Sequence, residues 1–555
     1  MHDEAPPGPG RGAVRASILR EKAAMKRTGA YAISVLLASS GIPLGLVGSP
    51  QAEAVGRTYY VSPVGSDGNS GTSPAKPFRT IQKAADNTAP GDTVSIMNGT
   101  YKEKPGGSDV VAISRSGRTG APITYRAYPG QHPVINAVAA WNGIRINGAS
   151  HIVLRGLEIK GNSANISLKD AEQGASATKP TYNTNCVSVE KDRKSGARPH
   201  HIDIVGNTVH HCPGGGIGAG YADYVTIDHN NVYANAWYSV FANSGISILA
   251  AQDIDQGDPS KYKIRFTNNI VHDNESKVKW GHCHCYSDGN GIIIDTLKDK
   301  AKAGATGPDY NGRVLVANNV TYNNGGSGIH SFKSQHVDIV HNTAYQNGRS
   351  TRMNSYANIY AQDSKDVQLF NNVSYSRPNQ PTNSTYGNND VTYDYNLYYG
   401  GKAPAVKGRH DVIANPKFVA PGTDGAPGFR LAKGSPGIGS GKPLPQVTTD
   451  IAGARRDAGT ADRGAYVFNT VKDAATPAAT AAPGGTESAG KGTGTNSAAS
   501  GGDSSAKGDG NDAKANGTGG DLAETGAGVA LPLGLAAMAL ALGGGIFLVL
   551  RRKRS

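Results

Sequence analysis

The chain has 555 residues, and 56 Lys and Arg against 43 Asp and Glu give it a formal net charge of +13. Charged residues at 18% are too few for a coiled coil or a wholly disordered polyelectrolyte, and 74 glycines without a strict triplet period exclude collagen. The positive excess falls mainly on residues 55–470, which favours an anionic partner: acidic polysaccharide, teichoic acid or nucleic acid.

Residues 1–54 are predicted to be a secretory signal peptide. Lys26 and Arg27 precede an apolar run, and Ala-Glu-Ala at 52–54 offers small residues at both positions that a signal peptidase reads. The stretch before Met25 is rich in Pro and Gly, unlike an ordinary signal peptide, so Met25 is the expected true start. The alternative is a buried N-terminal helix.

A short helix is predicted next, because Thr80 can cap a segment in which Ile81, Ala84 and Ala85 share one apolar face. Pro-Gly-Asp at 90–92 is a turn, and residues 93–97 are the expected first strand.

One sequence motif then recurs between about residues 150 and 400: an alternating apolar and polar run that ends in Asn. Its first Asn falls at 207, 230, 268, 318, 342 and 371, so the shortest steps are 23–24 residues and two steps are much longer. Coils of this length, each with three short strands, are typical of a parallel β-helix, in which apolar side chains stack inward and Asn side chains hydrogen-bond from coil to coil. An antiparallel sandwich is the alternative, but it does not need one phrase at coil length.

The segments around this repeat carry a family resemblance. Tyr-Val-Ser-Pro at 60–63, Pro-Phe-Arg-Thr-Ile-Gln-Lys-Ala-Ala at 77–85, Pro-Gly-Asp-Thr at 90–93 and Asp-Arg-Gly-Ala-Tyr at 462–466 resemble secreted proteins of the pectate-lyase superfold. The resemblance covers about residues 57–468. It implies an all-β fold over residues 55–470, a right-handed parallel β-helix whose N-terminal end is covered by a capping helix.

The two long steps mark a candidate functional face, because long loops on a rigid solenoid usually carry function. Within residues 272–312 lies Asp288-Gly-Asn290-Gly, which leads into an apolar strand that ends at Asp295. The next coil has a similar glycine-rich turn before His330 and Lys333. If the turns stack, Asp288 and Asn290 lie roughly 5–10 Å from the strand of His330.

This arrangement resembles family 9 polysaccharide lyases, whose Asp-rich turn binds Ca²⁺ and whose catalytic Lys follows a glycine turn on a neighbouring coil. The resemblance implies Ca²⁺ as cofactor, with Asp288, Asn290 and Asp295 as its ligands. His330 stands where the family has its Lys, so His330 is the expected base and Lys333 the alternative. The residues also permit a plainer interpretation, in which Asp and Asn only form turns and His330 is solvated.

The predicted function is a polysaccharide lyase that cleaves a uronate-containing, pectate-like polysaccharide by Ca²⁺-assisted β-elimination. A glycoside hydrolase on the same fold is an alternative, although the coils show no Asp-Asp pair in sequence. A non-catalytic glycan-binding adhesin is the third reading, because fold alone does not determine activity.

The four cysteines suggest one cross-link. Cys186 and Cys212 are 26 residues apart, close to one coil, so stacking brings them within disulfide reach in a secreted protein. Cys283 and Cys285 in His-Cys-His-Cys suit a disulfide, free thiols or a Zn²⁺ site. A second acidic patch, residues 253–258, loosely resembles a calcium loop.

The C-terminal part is predicted to attach the protein to a cell wall. Residues 471–521 are almost wholly small and polar and are expected to form a disordered linker. In residues 522–555, Leu-Ala-Glu-Thr-Gly precedes an uncharged run at 527–550, long enough for a transmembrane helix, and a basic tail. This order resembles the Gram-positive sorting signal of actinobacterial type, and it implies that a sortase joins Thr525 to peptidoglycan. A plain single-span anchor is the alternative.

The expected partners are therefore an anionic polysaccharide, sortase and peptidoglycan. No nucleic acid is expected, and the membrane is met only through the sorting helix. The location is the outer surface of a Gram-positive actinobacterium. A monomer is expected because both ends of the solenoid are predicted to be capped.

Overall fold

A computed structural model describes residues 56–353, 356–422 and 426–468. The predicted signal peptide, linker and sorting signal, with Thr525 and the helix at 527–550, lie outside these residues. Within the described part of the chain, no helix has the length and apolar character needed to cross a membrane.

The described elements are mostly short strands. In chain order they are β1 (Thr58–Val61), α1 (Ile81–Ala85), β2 (Thr93–Ile96), β3 (Thr100–Tyr101), β4 (Asp109–Ile113), β5 (Ile123–Ala127), β6 (Val134–Asn136), β7 (Asn142–Asn147), β8 (Ser150–Arg155), β9 (Glu158–Lys160), a 3₁₀ turn (Ser163–Asn165), α2 (Leu168–Gly174), α3 (Pro180–Asn183), β10 (Asn185–Glu190), β11 (His200–Val205), β12 (Thr208–His210), β13 (Ile217–Gly220), β14 (Asp223–Asp228), β15 (Asn231–Tyr233), β16 (Ile246–Leu249), β17 (Tyr262–Thr267), β18 (Ile270–His272), β19 (Ile292–Asp295), β20 (Arg313–Ala317), β21 (Val320–Tyr322), β22 (Ile329–Phe332), β23 (Gln335–Val340), β24 (Thr343–Tyr345), β25 (Ile359–Gln362), β26 (Lys365–Phe370), β27 (Val373–Tyr375), β28 (Asn389–Asp394), β29 (Leu397–Tyr399), β30 (Val412–Ile413) and a second 3₁₀ turn (Ala426–Phe429).

The strands form three parallel sheets, and the order of strands in each sheet follows the order of the chain. Sheet A is β1-β2-β5-β8-β11-β14-β17-β20-β23-β26-β28, sheet B is β3-β6-β9-β12-β15-β18-β21-β24-β27-β29-β30, and sheet C is β4-β7-β10-β13-β16-β19-β22-β25. A full coil therefore contributes one strand to each sheet. The predicted β-helix is confirmed, and the antiparallel sandwich is wrong because the ladders between these strands are parallel.

The core is a set of apolar ladders inside the coils. Along sheet A the chain stacks Leu154, Ile204, Ile227, Phe266, Val316, Ile339 and Leu369 in register. These side chains are almost fully buried, because alternation along each strand sends every second side chain inward. Their burial is the main source of stability for a solenoid whose coils touch only their neighbours.

Two asparagine ladders run beside this core. The first joins Asn207, Asn230, Asn269, Asn319, Asn342, Asn372 and Asn396. Each amide nitrogen donates to the carboxamide oxygen of the next coil over 3.0–3.1 Å. The second ladder, Asn235, Asn274, Asn324, Asn347 and Asn358, repeats the pattern and was not predicted.

The N-terminal end of the solenoid is covered by α1, as predicted. The Thr80 hydroxyl accepts from Lys83 N over 3.1 Å, and Ile81, Ala84 and Ala85 are buried. The prediction of the first strand was wrong: β1 precedes the helix and pairs with β2. The apolar and polar alternation in β1 covers only four residues, which is too short to distinguish a strand from a loop in the sequence.

The C-terminal stretch after β30 runs back along the outside of sheet B. Phe429, Ile451 and Tyr466 pack against Val320 and Tyr322. The buried Arg456 donates to Asn318 Oδ1 over 2.7 Å, across 138 residues of sequence. The stretch therefore covers outward apolar side chains that the solenoid would otherwise expose.

Candidate functional site

A groove lies on the outer face of sheet C, across the strands β10, β13, β16 and β19. In β16, Ile246 and Ile248 point into the core, whereas Ser247 and Leu249 face outward. The groove holds roughly 550 Å³, including its open mouth. Its lining residues are Asn185, Val187, Ser188, Gly215, Gly218, Ala219, Ala242, Asn243, Ser244, Ser247, Leu249, Asp288, Ile293 and Asp295.

The two glycine-rich turns stack directly, as the sequence predicted. Gly291 N donates to Ser327 O over 2.9 Å, and Gly326 N donates to Gly289 O over 3.0 Å. A Cβ at Gly326 would come within 2.4 Å of Asn290 Oδ1 and 2.5 Å of the Asp288 carbonyl. Only glycine allows the turns to approach this closely.

Asp288 is held in the turn by three neighbours. Its backbone is left-handed, with φ 64°. Ser244 Oγ and Asn290 Nδ2 donate to Asp288 Oδ1 over 3.3 Å and 3.1 Å, and Ser287 Oγ donates to Oδ2 over 2.9 Å. The carboxylate therefore lies at a fixed place in the wall of the groove.

Asn290 does not lie open to the groove as a metal ligand would. It is 2% exposed, and its Oδ1 accepts from both Ser327 N and Ser327 Oγ, over 2.9 Å and 3.0 Å. Its Nδ2 donates to Ser244 Oγ and to Asp288. With its donors and acceptors engaged, Asn290 fixes Asp288; its role as a Ca²⁺ ligand stays a prediction.

Asp295 ends β19 with its side chain on the outer face, in the same groove as Asp288. Burial, with the charge of Asp295 second, raises the pKa of Asp288 to about 7. Burial also raises the pKa of Asp295 to about 6, against a hydrogen bond from Thr296 Oγ1 and the charge of Lys333. The coils therefore contain a pair of interacting carboxyl groups that the sequence, with six residues between the two, did not reveal.

The groove offers a further oxygen atom beside this pair. Asn243 Oδ1 is buried and has no hydrogen-bond partner among the described residues, and Asn243 lines the same groove. Two desolvated carboxylates and one unpartnered amide oxygen are ligands that suit Ca²⁺. The residues present therefore fit a calcium site, with Asn243 in the place expected for Asn290.

His330 lies on the same face as the carboxylates, one coil further on, opposite Ile293. It is 6% exposed, and its ring stacks on Tyr360 at 4.8 Å. Its Nδ1 is 2.6 Å from Ser327 Oγ. Because Ser327 donates its own proton to Asn290, the consistent assignment is a neutral His330 that donates from Nδ1.

Burial lowers the pKa of His330 to about 3, so its free nitrogen is a weak proton acceptor. The hydrogen bonds run in one direction, from His330 through Ser327 and Asn290 to Asp288. This arrangement favours a positioning role for His330 over that of the base.

Lys333 follows β22 and is half-buried, with Nζ 5.0 Å from the centre of the Phe332 ring. Its charge lowers the pKa of Asp295 against the larger effect of burial, so the ammonium group acts on the carboxylate in the groove. Lys333 therefore lies near enough to Asp295 to be a candidate base at this groove.

The second acidic patch is not a calcium loop. Asp253 and Asp255 contact Lys263 Nζ at 2.9 Å and 2.7 Å, and Asp223 contacts it at 2.6 Å. These three carboxylates surround the buried ammonium group of Lys263, so they form an ion-pair cluster and not an open ligand loop.

The cysteines form two disulfides. Cys186 and Cys212 are bonded across neighbouring coils with Cα atoms 5.6 Å apart. Cys283 and Cys285 are bonded to each other, so neither offers the thiolate that a Zn²⁺ site needs.

Sequence reasoning missed Asn243, Ser244 and Ser327. A usable signal existed: Gly-Ile stands at the start of five strands of sheet C, at 143, 216, 245, 291 and 328. Aligning these pairs places Ser244, Asn290 and Ser327 at equivalent positions, each directly before the glycine. These three side chains are the ones that hydrogen-bond to one another across the coils.

The chain belongs to the Pel9A-like right-handed β-helix family, whose sequence model matches residues 59–369. Pectate lyase L of Paenibacillus polymyxa is 24% identical over 393 residues, covering 65% of this chain and 79% of that enzyme. An uncharacterised protein of Bacillus subtilis, YwoF, is 40% identical over 114 residues. That match covers 20% of this chain and 23% of YwoF, so the chain spans about a quarter of that relative.

Among solved structures, pectate lyase Pel9A has a TM-score of 0.44 and 16% identity, covering 75% of this chain and 97% of that one. The family assignment rests on the sequence match over residues 59–369 and not on this structural likeness.

Proposed function

We propose that this protein is an extracellular polysaccharide lyase that cleaves a uronate-containing, pectate-like polysaccharide by Ca²⁺-assisted β-elimination. The observation that carries the proposal is the groove on sheet C, where Asp288, Asp295 and the unpartnered Asn243 oxygen meet within reach of the charge of Lys333. Family membership and the likeness to pectate lyase L support it.

Each of these residues has a separate role in the proposed reaction. Asp288, Asp295 and Asn243 would hold Ca²⁺, which would supply positive charge beside the uronate carboxylate and so make its C5 proton more acidic. Lys333, in its neutral form, accepts the proton from C5 of the uronate. His330, Ser327 and Asn290 keep Asp288 in place through their hydrogen-bond chain.

The assay incubates the purified protein with pectate, alginate and glycosaminoglycans, with and without EDTA. Ultraviolet absorbance from an unsaturated product that EDTA abolishes is the expected result. Binding of a polysaccharide without cleavage would instead identify an adhesin and overturn the proposal.

A glycoside hydrolase is the second candidate, because one observation favours it. With a pKa of about 7, Asp288 is half protonated near neutral pH and could act as a general acid beside an ionised Asp295. New reducing ends without ultraviolet absorbance would identify this activity in the same assay.

We propose further that the protein is secreted as a monomer and joined by sortase through Thr525 to peptidoglycan. Release of the protein from isolated walls by a peptidoglycan hydrolase, but not by detergent, is the expected result. Replacing Thr525 with Ala should move the protein to the medium or the membrane.

A further inference from the structure

Three histidines gather on the outer face of sheet A, away from the groove on sheet C. His151 lies at the start of β8, and His200 and His201 open β11, the next strand of the sheet. His151 and His201 both have left-handed backbone, with φ 54° and 55°. A left-handed residue breaks the alternation of the strand, so the adjacent His200 and His201 side chains reach the same region.

The three rings contact one another closely. The rings of His151 and His201 stack at 4.5 Å, and His200 meets them edge-on at 5.3 Å and 5.0 Å. His200 Nδ1 and His201 Nδ1 are 2.8 Å apart. One ligand nitrogen from each of the three residues lies within 4.8 Å of the others.

Imidazole nitrogens at this spacing are a ligand set for a d-block cation. Zn–N bonds of 2.0–2.1 Å place the nitrogens of a tetrahedral site about 3.4 Å apart, which is within the range of the separations between these ring nitrogens. Imidazole suits Zn²⁺, Cu²⁺ and Ni²⁺, whereas Ca²⁺ prefers oxygen. The nitrogen set therefore selects a different metal from the oxygen set of the groove.

A second histidine pair, His210 and His211, has a carboxylate beside it in place of a third imidazole: His210 Nε2 is 3.2 Å from Glu158 Oε1. His210 Nδ1 and His211 Nδ1 are 2.7 Å apart, but the rings around them belong to Tyr233 and Trp237. The pair alone offers two nitrogens, so it serves as an internal comparison for the triad.

We propose that His151, His200 and His201 form a binding site for one divalent d-block cation such as Zn²⁺, with the fourth position open to solvent beside the exposed His201. The bound ion joins two consecutive coils, since His151 belongs to one and the other two to the next. It acts as a cross-link on sheet A, and occupancy raises the thermal stability of the solenoid.

The test titrates Zn²⁺ and Co²⁺ into tag-free, EDTA-stripped protein in excess Ca²⁺, which keeps the oxygen groove occupied. Calorimetry should show one tight site, Co²⁺ should give the visible absorption of a tetrahedral complex, and Zn²⁺ should raise the melting temperature. His151→Asn and His201→Asn keep residues that tolerate left-handed backbone, and each should weaken binding by about tenfold or more.

His229→Asn is the matched control, because His229, directly after β14 of sheet A, also has left-handed backbone (φ 53°) but pairs with Asp228. It should leave the titration unchanged. His211→Asn tests the two-histidine pair in the same way. Absence of a Zn²⁺ site in the unmodified protein, or a site that survives both triad variants, would overturn the proposal.

Discussion

At the scale of single residues, Asp288 and Asp295 resist ionisation more than ordinary carboxylic acids do. Burial raises the pKa of both groups, to about 7 and about 6. The native protein therefore retains protons on these two groups at pH values where the unfolded chain has lost them. By linkage, the free energy of unfolding falls as pH rises from about 4 to about 7, unless a cation neutralises the pair.

Calcium should reverse this pH dependence. In Ca²⁺-free buffer, urea denaturation should show a declining free energy of unfolding between pH 4 and pH 7, and Ca²⁺ should restore stability most at pH 8. Asp288→Asn should flatten the decline and weaken Ca²⁺ binding. A stability that is independent of both pH and Ca²⁺ would contradict the assignment of the pair.

Lys333 and His330 should differ in kinetics. Replacing Lys333 with Ala should lower kcat by about 10²–10⁴-fold with little change in KM, since a base acts only in the chemical step. His330→Gln should lower kcat much less and should weaken Ca²⁺ binding, because it disturbs the hydrogen bonds that hold Asp288. The opposite order, measured on folded variants, would return the role of base to His330.

At the scale of elements, the asparagine ladders connect each coil with the next. Asn269 is fully buried, donates to Ile227 O and to Asn319, and accepts from Asn230. Asn269→Ala should reduce the free energy of unfolding by at least about 2 kcal/mol, because several buried partners lose their hydrogen bonds. Asn379→Gly, at an exposed left-handed turn, is the control and should have almost no effect on denaturation.

The stacked turns give a second prediction at this scale. Gly326→Ala forces Asn290 and the Asp288 carbonyl to move, so it should weaken Ca²⁺ binding and lower activity as well as stability. Gly68→Ala is the matched control, since its Cβ would meet only Ser66 Oγ at 3.5 Å. Equal activity of the two variants would show that the approach of the turns does not matter to the site.

Much of the fold follows from the sequence because the repeat is local. The recurring Asn and the alternation around it indicate coil length, and the cap at Thr80 obeys simple helix rules. The second ladder was also present in the sequence, since Asn235, Asn274, Asn324 and Asn347 each follow a first-ladder Asn by five residues. The second ladder was missed because the repeats were aligned only on the first Asn of each.

The site was harder to predict, because its properties depend on burial. Sequence places Asp288, Asp295 and His330 near one another, but not the desolvation that raises the pKa of the acids and lowers that of His330. Nor does sequence reveal that Asn290 is fully hydrogen-bonded while Asn243 keeps an unpartnered oxygen. Such facts depend on which atoms the neighbouring coils cover.

At the scale of the whole molecule, the disulfide between Cys186 and Cys212 closes a loop of about one coil. Replacing both residues with Ser should reduce the free energy of unfolding by about 3 kcal/mol, since the unfolded chain regains the entropy of that loop. The same change at Cys283 and Cys285, which are two residues apart, should cost much less. Thermal denaturation of the two double variants measures the difference.

The returning C-terminal stretch has a consequence for biosynthesis. During synthesis the coils can form one after another from the N-terminus. The hydrogen bond from Arg456 to Asn318, however, can form only after 138 further residues have been made. Until then Val320 and Tyr322 are exposed to water, so the incomplete solenoid has an apolar surface on the outside of sheet B. Nascent chains are therefore most exposed to aggregation in the interval between the last winding and the arrival of the tail, so a premature stop codon near residue 420 would harm solubility more than catalysis.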